Sequence, residues 1–327
     1  MLEKSSSDAI AAKNNGRDPH QQLRIRAAWL YYVEGLTQSD VAKRLKVNRV
    51  MITRILSEAR SRGEVTIRIK SDIAPIIELQ HALEERFGLH KAVLAPFSEK
   101  DGDPTKAIAF AAAAYISQLI NEKMKVGVGW GRTLQAMLPF IEGRSLVDTR
   151  VISLLGGIAQ ARRFNPAEFA WQFAELFNAE GFLIPAPAIV DSEQTKYALL
   201  EHCGLEQVFQ MAETCDVALL SCGGITTLTT SYRVGHVTEA ERKSLVDAGA
   251  VGDLLYNFLD KDGNPVDHPV NRRAISMPLD RMSGIREKVL MSGGSEKVNM
   301  ILAILKTFGL ETLVTDEITA KALLETE

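Results

Sequence analysis

Cysteine is scarce: the 327 residues include three, Cys203, Cys215 and Cys222, an odd number without C-x-x-C spacing. This excludes a disulfide framework and any zinc site readable from the sequence, and it fits a reducing cytoplasm. Long apolar runs are also missing. The longest, "AIAFAAAAYI" at 107–116, is about half of what a bilayer requires and is rich in alanine, so it is expected to be a buried helix and no membrane partner is expected. The first twenty residues lack an extended apolar core, which argues for a mobile tail and against a secretory signal. Neither G-x-G-x-x-G nor G-x-x-x-x-G-K-[ST] occurs, so no nucleotide cofactor is expected. "DKDGNPV" at 260–266 lacks the sixth-position glycine and closing glutamate of a calcium loop; it reads as a hairpin turn at Asp262-Gly263, and no metal is expected.

Positive charge, by contrast, is concentrated. The formal net charge is −3, yet residues 1–70 hold 14 Lys+Arg against 7 Asp+Glu, a balance of +7, which leaves −10 for residues 71–327. A basic segment on an acidic protein is the electrostatic footprint of nucleic-acid binding, because neutralising phosphates releases condensed counterions. A solvated helix face would look the same by charge alone, so the pattern beneath the charge decides.

That pattern is three helices. The first, at about 23–34, carries Ala27, Leu30 and Tyr31 on one face and stops near Gly35. The second starts from Thr37 as N-cap, with Asp40 completing an approximate capping box, and buries Val41, Ala42 and Leu45. The third starts at Asn48 and buries Ile52, Ile55, Leu56 and Ala59, leaving Arg49, Val50, Met51, Thr53, Arg54 and Ser57 outside. Only Lys46 and Val47 separate Leu45 from Asn48, which is helix-turn-helix spacing. Arg49 and Arg54 suit guanine or phosphate, Thr53 and Met51 suit a thymine methyl, and Lys43, Arg44 and Arg62 suit phosphates. Lys46 stands where many such turns place glycine, at a cost of about 1 kcal/mol. After Gly63, "VTIRIK" alternates like a short wing strand.

The helix expected after Asp72, "IAPIIELQHALEERFGLH", is either packing for the next domain or a dimer-forming linker. From Lys91, short apolar strands alternate with helices: "KAVLAP", "MKVGVG", "VISLLGG", "FLIPAP", "VALLSCGG", "KVLMSGG" and "TLVT". Such alternation predicts a parallel sheet covered on both faces, with ligands at the strands' C-terminal ends. Glycines gather at those ends: Gly127, Gly129 and Gly131 before Arg132 and Thr133, then Gly156-Gly157, Gly223-Gly224 and Gly293-Gly294 before Lys297. Together they predict an anion pocket formed by backbone N–H groups at helix starts. The organisation expected is a tail (1–20), a helix-turn-helix unit (21–70), a linker helix (71–90) and an effector domain (91–327).

The helix-turn-helix is followed by "ERFGL", "VGVGWGRTLQAM", "NPAEFAWQFAELFNAEGFLIPAPAIVDS", "GAVGDLLYNFLDKDGNPV" and "VLMSGGSEKVNMILAILKTFGLETLVTDEITAKALL". In this order they closely resemble the SorC family of bacterial sugar-responsive transcriptional regulators, from about residue 22 onward. The resemblance implies an α/β effector domain related to the sugar-phosphate isomerases and deaminases, often tetrameric, that senses a phosphorylated sugar or polyol. By position, Gly127, Gly129, Gly131, Thr133, Gly293, Gly294 and Lys297 would hold phosphate, and Asn165, Asp191, Arg233 and Asp253 would meet hydroxyls. "SCGG" departs from the family's usual turn at Cys222. The expected partners are operator DNA, the effector and further copies of the chain. The rival is an isomerase- or deaminase-like enzyme with a DNA-binding appendage, using Asp191, Asp216 or Asp253. No histidine–acid pair stands at the glycine turns: His202 adjoins Cys203 in a helix, and His236 and His268 fall in polar loops. Binding without turnover is therefore expected.

Overall fold

The computed structural model describes residues 19–66, 74–97, 102–158, 165–227, 229–233 and 235–326. It divides into two compact units, Met1–Lys70 and Ser71–Glu327. Residues 1–18 of the expected tail and 67–70 of the expected wing strand lie outside the described residues.

Among the described residues, the smaller unit has three helices. The first, α1 (Pro19–Ala28), continues through a π-helical turn at Trp29–Val33 and is followed by α2 (Gln38–Leu45) and α3 (Arg49–Ser61). Helix α1 begins earlier than expected, at Pro19, whose fixed φ suits a first helical position. Ala27, Leu30, Val41, Ala42, Ile52, Ile55, Leu56 and Ala59 form one buried cluster, with Tyr31 and Leu45 only partly buried at its margin. The caps explain the boundaries. The Thr37 hydroxyl accepts from Asp40 N–H at 3.3 Å and donates to the Asp40 carboxylate at 2.6 Å, and Asn48 Oδ1 accepts from Met51 N–H at 2.7 Å. Arg24, buried, reaches both oxygens of Glu64 at 2.8 and 2.7 Å, strapping α1 to the residues just after α3.

Lys46 ends α2 in the left-handed region, at φ 56° and ψ 42°, with its N–H returned to the Ala42 and Lys43 carbonyls. A Cβ there costs about 1 kcal/mol. Lys46→Gly should raise the stability of this unit by about that amount, read as the denaturant midpoint of the helical transition; an unchanged or lower midpoint would mean that the lysine stem offsets the strain.

The larger unit opens with α4 (Ala74–Phe87), then β1 (Lys91–Ala95), α5 (Thr105–Leu119), β2 (Lys125–Val128), α6 (Arg132–Met137), β3 (Arg150–Gly157), α7 (Pro166–Leu176) and β4 (Glu180–Pro187). There follow α8 (Glu193–His202), α9 (Leu205–Glu213), β5 (Val217–Leu220), β6 (Cys222–Gly224), α10 (Thr230–Arg233), α11 (Glu239–Asp247), β7 (Ala250–Leu254) and β8 (Asn257–Asp260). The chain closes with α12 (Pro269–Arg273), β9 (Glu287–Met291), α13 (Val298–Thr307), β10 (Thr312–Asp316) and α14 (Glu317–Glu325).

Seven strands form one parallel sheet in the order β1-β10-β9-β5-β2-β3-β4. Alternate side chains of each strand enter different cores: Val217 and Leu219 pack with α5, α6 and α7, while Ala218 and Leu220 pack with α9, α13 and α14. The sheet is therefore covered on both faces, as a doubly wound fold requires. Helix α4 packs on β1 and α14, with Leu83 fully buried, so it belongs to the larger unit's core.

One expected strand needs correcting. "VALLSCGG" is not continuous: β5 ends at Leu220, and Cys222–Gly224 crosses into a three-stranded antiparallel sheet, β6-β7-β8. The turn joining β7 to β8 is Leu255-Tyr256, with φ 53° and 58°. The Asp262-Gly263 turn is also present, Asp260 Oδ1 accepting the N–H groups of Asp262 and Asn264 at 2.9 Å each.

Candidate functional site

The face expected to read DNA is the outer surface of α3. Arg49, Val50, Met51, Thr53, Arg54 and Ser57 are all exposed, Val50 at 79%. Arg44 pairs with Glu34 at 3.3 Å, Lys43 lies 3.8 Å from Asp40, and Arg62 bonds Glu58 at 2.9 Å. Arg49 and Arg54 differ: neither guanidinium meets an acid or an acceptor among the described residues. Their donors remain available, whereas Thr53 already donates to Gln38 Oε1 at 2.9 Å.

In the larger unit, the strand order places the crevice. Strands β2 and β5 are neighbours, but β2 leads toward β3 and β4 while β5 leads toward β9 and β10. The connections leave on opposite faces, so their C-terminal ends diverge and open a cleft, the position where open α/β sheets bind ligands. A pocket lies there, open to solvent on one side. It is lined by Trp130, Gly131 and Arg132 after β2, by Ser221 to Gly224 after β5, by Thr229, Thr230 and Ser231, and by Asp253, Glu296 and Lys297.

Two of these groups carry buried charge. Lys297 is 8% exposed, and no hydrogen bond or ion pair joins its ammonium to another described residue. Asp253 is 4% exposed; burial pushes its carboxyl up to about 6, while the Tyr256 N–H bond to Oδ2, at 3.2 Å, and the Lys297 charge pull it down. Close approach makes two glycines necessary. A Cβ on Gly223 would stand 2.5 Å from Asp253 Oδ1, and one on Gly224 would stand 2.5 Å from the Glu296 carbonyl oxygen. Cys222 donates its thiol to Ser292 Oγ at 3.3 Å, and burial pushes its pKa up to about 11, so it stands as a neutral thiol rather than a nucleophile.

Comparison with known proteins places the chain in a family. Residues 71–325 match the sugar-binding domain family Sugar-bind. The chain is 30% identical over 309 residues to the erythritol catabolism regulatory protein EryD of Brucella abortus, covering 94% of this chain and 98% of that one. It is also 30% identical to the deoxyribonucleoside regulator of Bacillus subtilis, over 93% of this chain and 97% of the relative. The full-length sorbitol operon regulator SorC of Klebsiella pneumoniae superposes with a TM-score of 0.70 at 25% identity, covering 93% of this chain and 99% of that one. The chain belongs to the SorC family of sugar-responsive transcriptional regulators.

The family resemblance placed more residues at the effector than the crevice brings together. Gly131, Arg132, Gly223, Gly224, Asp253 and Lys297 line it. Gly127 packs against Leu154 and Cys215, Gly129 lies under Leu255, and Gly293 lies against Ile108 and Asp316, so these three shape the strand ends. Thr133 is buried in α6, and the Gly294 N–H donates to Thr319 Oγ1 at 2.8 Å beside a separate hollow.

Four residues sit elsewhere. Asn165 caps α7 and bonds the Ile158 carbonyl at 2.8 Å, close to Gly157; Asp191 is exposed just before α8; Arg233 is exposed at the end of α10. Asp216 takes the Lys125 N–H at the opposite, N-terminal edge of the sheet, too far round the fold to serve the cleft. His268 is not a free loop residue but the buried N-cap of α12. His236 is half-buried and bonded to Tyr256. Trp130, Glu296 and the hydroxyl run Thr229-Thr230-Ser231 escaped sequence reasoning, although "TTLTTS" was a visible signal of hydroxyl-rich lining.

Asp253 has a pH signature. Its folded pKa is raised, so its contribution is intact below the ordinary value of 3.8 and is lost as pH rises through about 6, costing about 3 kcal/mol once ionised. Asp253→Asn should therefore raise the thermal midpoint at pH 7.5 and leave it nearly unchanged at pH 4. An equal shift at both values would mean that the carboxylate is stabilised in place.

Proposed function

We propose that this protein is a cytoplasmic, homo-oligomeric transcriptional regulator of a sugar or polyol catabolic operon. Its helix-turn-helix unit binds double-stranded operator DNA, and the crevice of its larger unit holds a phosphorylated sugar or polyol without turning it over. The observation that carries the reading is Lys297: a nearly buried ammonium with no hydrogen bond or ion pair to a described residue, facing a cleft at the switch point of the sheet. A buried charge demands a counter-charge, and a phosphate dianion supplies one. Asp253 accepts sugar hydroxyls, and Thr230 and Ser231 add hydroxyl donors. The relatives named for erythritol catabolism and for the sorbitol operon support a polyol or sugar skeleton.

On DNA, Arg49 and Arg54 offer bidentate donors to base edges. Asn48, Val50, Met51, Thr53 and Ser57 complete the contact, and Lys43 and Arg44 exchange their acidic neighbours for phosphates. Arg49→Ala and Arg54→Ala should each cost about 1–3 kcal/mol of specific binding and leave effector binding intact. A gel-shift assay with wild-type specificity in both variants would remove α3 from the groove.

For the crevice, the test is a thermal-shift panel of erythritol 4-phosphate, ribose 5-phosphate and sorbitol 6-phosphate with their unphosphorylated forms. At a hundredfold excess over its dissociation constant, the cognate phosphate should stabilise the larger unit by about 2.7 kcal/mol. Lys297→Ala should abolish that response and the effector's influence on DNA while leaving operator affinity unchanged. One observation favours the enzyme alternative: a carboxyl near 6, like that of Asp253, suits a general base. Product accumulating at an enzymatic rate in an NMR time course would establish turnover and overturn the regulator-only reading of the crevice.

A further inference from the structure

Tyr256 occupies an uncommon position. It is fully buried, and with Leu255 it forms a two-residue hairpin turn in which both residues have positive φ, a conformation that ordinarily calls for Asn-Gly. Side chains as large as leucine and tyrosine hold such a turn only when their surroundings fix it. Those surroundings are visible. The Tyr256 ring stacks on Trp130, with centroids 5.1 Å apart and planes inclined by 21°, and Trp130 lines the crevice. The Tyr256 N–H holds Asp253 Oδ2 at 3.2 Å. The Tyr256 hydroxyl meets His236 Nδ1 at 2.7 Å.

His236 faces the other way through its main chain. Its N–H and that of Val237 both donate to the Ser231 carbonyl, at 3.1 and 3.3 Å, and Ser231 ends the run Thr229-Thr230-Ser231 that forms one wall of the crevice. The ring of His236 is thereby joined to the hairpin carrying Asp253, and its backbone to the hydroxyl wall. Neither His236 nor Tyr256 lines the cavity.

We infer that His236 and Tyr256 are a positioning pair that sets the Asp253 carboxylate against the Thr229–Ser231 wall, and so governs recognition of the ligand's hydroxyls but not of its phosphate. The inference rests on reading the crevice as a site for phosphorylated sugars or polyols. Lys297 reaches the cavity from the loop before α13 and is not held by the pair. Two ends of one ligand are thus met by groups carried on separate segments, Asp253 on the β7–β8 hairpin and Lys297 before α13. The His236–Tyr256 bond is charge-neutral, its imidazole being kept uncharged by burial, which lowers the histidine pKa.

The test uses the full chain and four probes: inorganic phosphate, followed by 31P NMR, and erythritol 4-phosphate, ribose 5-phosphate and sorbitol 6-phosphate, followed by calorimetry. Tyr256→Phe keeps the stacked ring and deletes the hydroxyl; His236→Phe deletes the ring nitrogen. Each should weaken the best hydroxylated ligand about tenfold, the cost of one buried hydrogen bond, while changing phosphate affinity less than twofold. His236→Asn, whose amide can return a polar atom near the Nδ1 position, should recover most of the loss. Equal loss for phosphate and the hydroxylated ligand, or unchanged affinity in both Phe variants, overturns the inference and leaves the pair a feature of the fold. Wild-type protein that binds none of the three organic phosphates overturns the reading of the crevice itself, and the positioning role with it.

Discussion

The reversal of strand order between β2 and β5 is the constraint on which the larger unit depends. A parallel sheet can change winding direction at one place only by sending two neighbouring connections to opposite faces, and backbone must then leave both strands without a helix filling the gap between them. The glycine turns follow from that geometry. Chain from β2, from β5 and from the loop before α13 converges on a space too narrow for side chains, so Gly223 and Gly224 stand where a Cβ would strike a carboxylate or a carbonyl oxygen. The antiparallel β6-β7-β8 sheet follows as well, because the strand leaving β5 must find new hydrogen-bond partners once it departs from the parallel ladder.

Convergence creates an electrostatic problem that the fold leaves open. An ammonium and a carboxylate both lie almost out of water at Lys297 and Asp253, yet the ammonium has no bonded acid among the described residues and the carboxylate is pushed toward neutrality. Elsewhere among the described residues buried charges are satisfied: Lys288 reaches Glu311 at 3.0 Å, Arg24 reaches Glu64, and Asp316 accepts from the Ile318 and Thr319 N–H groups. Unsatisfied charge confined to one cleft is stability given up locally for recognition. The helix-turn-helix unit shows a similar division in a solvated setting, where Lys43, Arg44 and Arg62 are tied to acids while Arg49 and Arg54, on the outer face of α3, are not.

Much of this was legible in the sequence where the signal is local. Thr37 and Asn48 announce their helices because a cap is a contact between residues three apart, and the period of Ile52, Ile55, Leu56 and Ala59 identifies the buried face of α3 without any tertiary knowledge. The parallel strands were legible because strands buried on both faces read as short apolar runs. What failed was long-range. Ser221 carries no sign that the chain changes sheets there. The hairpin in "GDLLYNFLD" was hidden because Leu-Tyr is not a turn sequence. Asn165 and Asp191 have side chains that serve equally as caps and as hydroxyl acceptors, and Asn165 proves to be a cap. His236 read as a loop histidine because its partner lies twenty residues away in sequence, in the turn between β7 and β8.

The Leu255-Tyr256 turn also bears on how such a chain can drift. An Asn-Gly pair at these positions would relieve the backbone. Here that change would delete the ring stacked on Trp130 and the hydroxyl bonded to His236. Both side chains are buried in the core, and losing their packing outweighs the backbone relief, so stability and ligand recognition alike keep this turn as it is. Lineages that evolve under heat while retaining the same ligand would have to gain their stability elsewhere, on the helices and loops remote from the crevice.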